Sequence, residues 1–224
     1  MRRWPTALLN IDLVAWRFGA PKLFRYFDVE EHADSFTGGR CYISTLRRCR
    51  ETEDAIRADP GEGMLSYQTG TISGSSSDPL VREIGRRGGI HVAGDGAVTI
   101  SNTEHRLVIP DAYVLCLSDT LSDVLLKKFG PYVVEIDTLR FFENLTYALS
   151  THYELEREAP LRKVAYTSRS YAGLDPSPGV IGFTKPESFR DESEVRCIWL
   201  PQNHTPAPQV FHAAGVAGLS KRIR

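Results

Sequence analysis

The sequence predicts an α+β fold with mixed, mainly antiparallel central sheets and flanking helices. Strand-like and helix-like segments are mixed along its 224 residues, which favours this class. Short breaks at 94–96 and 102–103 separate neighbouring strand-like pieces as hairpin turns do. Neither a repeat nor a linker interrupts the pattern, so we expect a single domain over 1–224, with an N-terminal extension (1–21) and a C-terminal tail (201–224).

Apolar patterns, capping residues and glycine stops place the elements in order. Asp28 and Glu31 form a capping-box pattern at the start of a helix. The Gly/Ser-rich stretch 69–77 indicates a mobile loop, and Asp78 followed by Pro79 opens another helix. The expected elements are strand 22–27, helix 29–36, strand 40–46, helix 47–57, strand 64–68, helix 79–88, strands 90–93, 98–101, 107–109 and 113–117, helix 119–129 capped by Ser118, strand 132–136, helix 137–150, strand 161–166 and strand 195–200.

Composition argues against several classes of protein. The net charge of −1 creates no overall attraction to nucleic acid or to an anionic membrane. Apolar runs fall short of the roughly 20 residues of a membrane span, so no membrane partner is expected. The four cysteines lack a CxxC spacing, which favours free thiols in a reducing cytoplasm and argues against structural zinc.

Several polar side chains lie in or beside strands that are otherwise apolar. Arg25 interrupts the first strand, and Ser44 and Thr45 interrupt the second. Glu192 and Glu194 are two residues apart, just before the last strong strand, and strand geometry would point both carboxylates to one side. Buried polar groups need partners or a function, and a carboxylate pair can stabilise a cation and activate a hydroxyl.

The order of these segments resembles a broad group of bacterial and phage domains of unknown function. The resemblance spans residues 22–200 and implies a shared fold without indicating an activity. The motifs that carry it are LFRYF (23–27), YISTL (42–46), CLSD (116–119), KKFGPYVVEID (127–137), RKVAY (162–166) and FRDESEVRCIW (189–199).

A more distant resemblance concerns mono-ADP-ribosyltransferases of the cholera-toxin type. Those enzymes carry an Arg on an early strand, a Ser-Thr-Ser motif on a second strand and a Glu-x-Glu motif before a later strand. Arg25, Ser44-Thr45 and Glu192-Ser193-Glu194 match these motifs in the same order, with Leu46 in place of the final Ser. The resemblance implies an ADP-ribosyltransferase-like fold and NAD as the substrate, without a metal.

The resemblance also implies roles in catalysis. Arg25 would clamp a phosphate of NAD, and Glu194 would stabilise the cation that forms when the nicotinamide–ribose bond breaks. Glu192 would polarise the acceptor, which would be a protein side chain, a nucleobase or water. The implied activity is that of an ADP-ribosyltransferase or an NAD glycohydrolase, in a toxin-like or phage-conflict effector.

The expected NAD-binding residues surround Arg25 on the first two strands. Ser44 and Thr45 would orient the arginine or the glutamate. Tyr26 and Tyr42 are candidates to stack on nicotinamide or adenine, although ordinary strand aromatics explain them as well. The oligomeric state and the acceptor stay open.

A metal-dependent nuclease is an alternative. Glu51, Asp54 and Asp59 would bind a divalent metal ion, and Arg47 and Arg50 would contact the phosphate. Sequence spacing alone does not show that these carboxylates converge.

The charged segment 47–62 also allows a third interpretation, in which the chain is a protein-interaction module without enzymatic activity. Its charges include oppositely charged pairs four residues apart, which on a helix would form ordinary surface ion pairs.

Overall fold

The computed structural model describes residues 8–11, 22–52 and 58–224, with the backbone alone for 8–11. The architecture is mixed α+β with mainly antiparallel sheets, as predicted. Contacts divide the chain into two compact units. The first holds Met1–Glu62, Pro110–Val164 and Ser188–Arg224, and the second holds Gly63–Ile109 and Ala165–Glu187.

The strands are β1 (Leu8–Ile11), β2 (Leu23–Phe27), β3 (Arg40–Thr45), β4 (Met64–Gln68), β5 (Thr71–Ser75), β6 (Ala97–Ser101), β7 (Glu104–Val108), β8 (Tyr113–Ser118), β9 (Tyr132–Ile136), β10 (Glu158–Lys163), β11 (Ala165–Tyr166), β12 (Ser170–Ala172), β13 (Thr184–Lys185), β14 (Glu194–Trp199), β15 (Gln209–His212) and β16 (Ser220–Arg222). The helices are α1 (Glu30–Thr37), α2 (Leu46–Glu51), α3 (Pro79–Arg87), α4 (Asp123–Phe129) and α5 (Thr138–His152), with short 3-10 helices over Glu187–Glu192 and Ala214–Val216.

The first unit is built on a nine-stranded sheet, in which seven strands follow the order β1-β10-β14-β8-β2-β9-β16 and the other two, β3 and β15, branch from β8. Strand β8 has three neighbours. β14 pairs with it along its whole length, from Tyr113 to Ser118. β2 pairs with it at Ser118, and β3 pairs with it at Tyr113 and Val114. Because a strand has only two edges, β2 and β3 share the edge opposite β14, one at each end.

One face of this sheet forms the main core with α1 and α5. Leu115, Val195 and Trp199 lie in this core and are almost completely buried. The Trp199 ring stacks on Phe142 of α5 with centroids 6.2 Å apart, and its Nε1 donates a hydrogen bond to Thr146 Oγ1 over 2.9 Å. The polar residues of β14 therefore lie on the opposite face, since side chains alternate along a strand.

The second unit contains β4 between β7 and β12, the antiparallel pair β5–β6, the β11–β13 pair and α3. The predicted mobile loop over 69–77 is wrong, because residues Thr71–Ser75 pair with Ala97–Ser101. The glycine at position 74 has a packing reason, since a Cβ there would approach a Val81 methyl carbon to 2.9 Å. The glycine and serine content of this segment suggested a flexible loop, whereas the glycine at position 74 allows the strand to pack closely against its neighbour.

Helix starts differ from their predictions in the first unit. α1 begins at Glu30, with Val29 at the cap position and no side-chain capping hydrogen bond in this described segment, so the predicted capping box does not form. α4 begins at Asp123 and is capped by Ser122, whose Oγ accepts a hydrogen bond from Leu125 N, rather than by Ser118.

Two further differences concern strands. Residues 90–93 are irregular. The end of the chain, predicted as a tail, supplies β15 and β16, which pair with β3 and β9. No helix within the described ranges combines the length and apolar character needed to cross a bilayer.

Candidate functional site

Arg25 occupies the gap between β2 and β3 along the shared edge of β8. The two strands pair with opposite ends of this edge and leave its middle open. The Arg25 guanidinium donates a hydrogen bond to the main-chain carbonyl of Cys116, in that middle section. This hydrogen bond gives the polar side chain on an otherwise apolar strand a structural partner.

Ser44 lies on the sheet face that carries the polar residues of β14. It pairs with Val114, which in turn pairs with Ile198, and cross-strand partners share a face. Its Oγ lies 4.0 Å from the Sγ atom of Cys49, within the range of a weak hydrogen bond to sulfur. Cys49 belongs to α2, which begins directly after this strand.

Arg196 joins two buried carboxylates on that face. Its Nε and one terminal nitrogen lie 2.8 and 2.7 Å from Glu194 Oε1. Its two terminal nitrogens donate to the carboxylate of Glu62 over 2.5 and 3.2 Å. Exposure is 1% for Arg196, 2% for Glu62 and 5% for Glu194. We call these three residues the charged triad.

The charged triad shifts the pKa of its own arginine and of the neighbouring Cys49 thiol. Burial alone would lower the pKa of Arg196, but the carboxylates of Glu194 and Glu62 raise it well above its usual value. Burial raises the pKa of the Cys49 thiol to about 11, and the charges of Glu62 and Glu194 add to this shift. The thiol therefore stays protonated at neutral pH.

The guanidinium of Arg25 is within electrostatic reach of the same group. Burial lowers the pKa of Arg25, while the thiolate forms of Cys116, Cys41 and Cys49, and the carboxylate of Glu194, oppose that shift. Arg25, Ser44 and Glu194 come from three different strands, and all three strands pair with β8. Ser44 pairs with Val114, at the opposite end of β8 from Ser118, the partner of Glu194. Arg25 pairs with the core residue Val134, so its side chain leaves the strand on the core face. The fold thus makes the three strands neighbours without placing the three side chains side by side.

Glu192 lies apart from Glu194, although the sequence suggested that both carboxylates share one side. Glu192 ends a 3-10 helix, and Ser193 has a φ of +44°, so strand alternation begins only at Glu194. The Glu192 carboxylate accepts a hydrogen bond from Lys128 Nζ over 2.8 Å, whereas Glu194 binds Arg196. Residues two apart share a face only where the backbone is extended, and the backbone between Glu192 and Glu194 is not extended.

The other predicted NAD-binding residues have local structural roles or remain exposed. Tyr26 packs on Leu125, and its hydroxyl donates to the Thr120 carbonyl over 2.8 Å. Thr45 is fully buried, and its Oγ1 caps α2 by accepting a hydrogen bond from the amide of Arg48. Tyr42 is 47% exposed, opposite Val210 of β15, and of the two predicted stacking residues it is the one open to a ligand.

The residues of the nuclease hypothesis occupy varied environments. Glu51 is exposed at the end of α2, Asp59 is buried, and Asp54 lies outside the described residues. Arg47 pairs with Asp111, and Arg50 donates to the main-chain carbonyl of Glu62 over 2.9 Å. Among the residues that the structure describes, no three His, Cys, Asp or Glu side chains are arranged to hold a metal ion.

Sequence reasoning missed Arg196 and the role of Glu62. Arg196 follows Glu194 by two residues on a strand whose other members are apolar, a spacing that places both side chains on one face. Glu62 ends the turn after Asp59-Pro60-Gly61, and only the folded chain brings it to β14.

Comparison with protein-family models, curated proteins and solved structures finds no match for this chain.

Proposed function

We propose that the chain is an NAD-cleaving enzyme with an ADP-ribosyltransferase-like fold, either an ADP-ribosyltransferase or an NAD glycohydrolase, acting as a cytoplasmic effector. The observation that carries the proposal is that Arg25, Ser44 and Glu194 lie on three strands that all pair with β8. The mono-ADP-ribosyltransferases that the sequence resembles use the same three residue types in the same chain order.

Arg25 binds the pyrophosphate of NAD in this proposal. A guanidinium presents several N–H donors in one plane, and its hydrogen bond to the Cys116 carbonyl fixes the stem of the side chain. The donors that remain can pair with phosphate oxygens in a bidentate manner. In the same proposal Ser44, which shares a sheet face with Glu194, aligns the ribose end of the ligand.

Glu194 acts on the bond between nicotinamide and ribose. When this C–N bond breaks, its electron pair leaves with the nicotinamide, and the ribose carbon becomes cation-like. An ionised carboxylate beside that carbon lowers the energy of the transition state. Arg196 favours the ionised form of Glu194 because it holds the carboxylate in a buried ion pair. The acceptor then adds its oxygen or nitrogen to the ribose carbon and loses a proton.

Release of free nicotinamide from NAD tests this proposal. We expect the wild-type protein to release it, and E194Q to release it at least about 100-fold more slowly, because an electrostatic contribution of this kind is worth that factor or more. E135Q is the matched control, since Glu135 is also a carboxylate on a strand of this sheet, ion-paired with Lys22 and Lys221.

Thermal unfolding of both variants separates activity from folding. The proposal requires full activity in E135Q and a folded E194Q, in which Arg196 keeps Glu62 as a partner. A wild-type protein that leaves NAD intact contradicts the proposal, and so does full nicotinamide release by E194Q.

A further inference from the structure

We infer that His204 is a pH-sensitive latch, which docks the connection between β14 and β15 onto two tyrosines at neutral pH and releases it when the imidazole takes up a proton. The connection covers residues 200–208 of the first unit. His204 is partly buried, whereas Asn203 and Thr205 on either side of it are exposed. The inference is independent of the proposed function, because it concerns a different cluster of side chains.

The imidazole of His204 contacts both tyrosines. Its ring stacks on the ring of Tyr153, with the centroids 4.4 Å apart and the planes inclined by 26°. Its Nε2 lies 3.1 Å from the hydroxyl oxygen of Tyr113, a buried residue at the start of β8. One histidine therefore attaches the middle of the connection to the sheet through a stacked ring and a hydrogen bond.

The hydrogen bonds of the Tyr113 hydroxyl determine the protonation state of His204. A hydroxyl group has one proton to donate and two lone pairs that accept. Gln209 Nε2 donates to the Tyr113 oxygen over 3.0 Å, and the main-chain amide of Ala207 is a second donor to it. The Tyr113 proton is thus directed to His204 Nε2, which can accept it only when the imidazole is neutral and carries its proton on Nδ1.

The cluster does not adapt to a protonated His204. Burial raises the pKa of Tyr113, and Tyr153 adds to that shift, so Tyr113 keeps its proton at neutral and acidic pH. The Oε1 atom of Gln209 accepts a hydrogen bond from the Tyr153 hydroxyl over 3.1 Å and is not open to the Tyr113 proton. A protonated His204 would place an N–H group against a hydroxyl whose lone pairs are already occupied, and the bond to Tyr113 would be lost.

Two carboxylates follow α5 in the segment that faces the connection. The Glu154 carboxylate accepts a hydrogen bond from Asn203 Nδ2, and Glu156 is exposed. Glu154 and the face of the Tyr153 ring both favour a cation at His204, so they reduce the size of the effect. The lost bond to Tyr113 sets its direction.

Two further histidines lie near the cluster without contacting Tyr113. His152 is exposed at the end of α5, where its Nδ1 lies 3.0 Å from the Ala148 carbonyl oxygen and its ring packs edge-on against Phe211. His212 lies on the opposite face of β15 from Gln209, because side chains alternate along a strand. His152 is therefore a matched control for titration of a neighbouring imidazole.

Main-chain bonds hold the connection weakly once His204 lets go. Gln202 N donates to the Glu154 carbonyl over 2.9 Å, and Pro201 forms an isolated bridge with Leu155, both at its start. Pro206 and Pro208 have no amide proton to donate. Release takes up one proton, so docking is complete above the pH range in which histidine titrates and weakens as the pH falls through that range.

Amide hydrogen exchange followed by NMR on the full chain measures this release. The reporters are the amides of Gln202 and Ala207, and the amides of β8 serve as the reference after correction for intrinsic exchange. A free histidine titrates near about pH 6.5, so the protection of both reporters in the wild-type protein should fall about tenfold between pH 7.5 and 5.5 relative to β8. H204Q should abolish this fall, because glutamine does not titrate, and H152Q should retain it.

Y113F tests the hydrogen bond itself. Without the hydroxyl, the docked connection no longer requires a neutral His204, so the protection of the Gln202 amide should lose its dependence on pH. Protection that is equal at both pH values in the wild-type protein overturns the inference, and so does a fall that persists in H204Q or in Y113F or that disappears in H152Q. If Y113F does not fold, the wild-type protein, H204Q and H152Q still decide it.

Discussion

Cys49 shows how strongly the charged triad affects a neighbouring residue. Its thiol lies 4.0 Å from Ser44 Oγ, and its pKa is raised to about 11 from 9.0, first by burial and then by Glu62 and Glu194. A raised thiol pKa means that the folded state holds its proton more tightly than the unfolded chain does. Cys49 therefore stabilises the fold fully below about pH 9 and loses that contribution as the pH rises through 11.

The C49A variant tests this linkage at the residue scale. Between pH 9 and 11 the unfolded chain has lost the proton and the folded chain retains it, so wild-type stability falls with pH. C49A should make this fall shallower by up to about 1.4 kcal/mol per pH unit, measured by urea unfolding across the range. Part of the fall remains, because burial also raises the pKa of Cys41, to about 12. Identical slopes in both proteins would refute the account of Cys49.

Individual site residues were predictable from sequence to different degrees. Arg25 and Ser44 were found because a polar residue stands out in a short strand whose other residues are apolar. The link between Glu62 and Arg196 joins residues far apart in the chain, and no local pattern contains it. Glu192 was placed beside Glu194 because the left-handed backbone of Ser193 has no sequence signal when the residue is not glycine.

At the scale of elements, β8 organises the first unit. One edge of β8 pairs with β14, the strand that holds Glu194 and Arg196. The other edge pairs with β2 at one end and with β3 at the other. The division opens the gap that Arg25 fills.

Helix capping offers a matched test of element stability. Asp78 accepts a hydrogen bond from Leu80 N over 2.8 Å at the start of α3, whereas Asp137 occupies the same position in α5 with no side-chain capping bond in the described chain. D78A should cost about 1 kcal/mol of unfolding free energy, and D137A no more than about 0.5 kcal/mol. Equal losses in urea unfolding would show that the capping bond contributes nothing.

Elements with a strong apolar pattern were predictable within a residue or two, as β2, β8 and β9 show. β5 and β15 were missed because their stability comes from pairing with distant segments, 97–101 and 40–43. Single-sequence patterns report on burial along one segment and contain nothing about the partner that pairs with it.

At the scale of the whole molecule, overall charge is a poor guide to local charge. The 27 basic and 28 acidic residues give a net charge of −1, yet Arg25, Arg162 and Arg196 lie with Glu62 and Glu194 on strands and a turn of one unit. Composition could argue against a general affinity for nucleic acid or membranes. It could not reveal a buried cluster of opposite charges such as the charged triad.

A crystal structure of the protein with a carbocyclic NAD analogue, in which a methylene group replaces the ring oxygen of the nicotinamide ribose and the bond resists cleavage, tests the central claim most directly. The account predicts the pyrophosphate within hydrogen-bonding distance of the Arg25 guanidinium and the nicotinamide ribose against the Glu194 carboxylate. Analogue bound elsewhere on the protein, away from both Arg25 and Glu194, would contradict it.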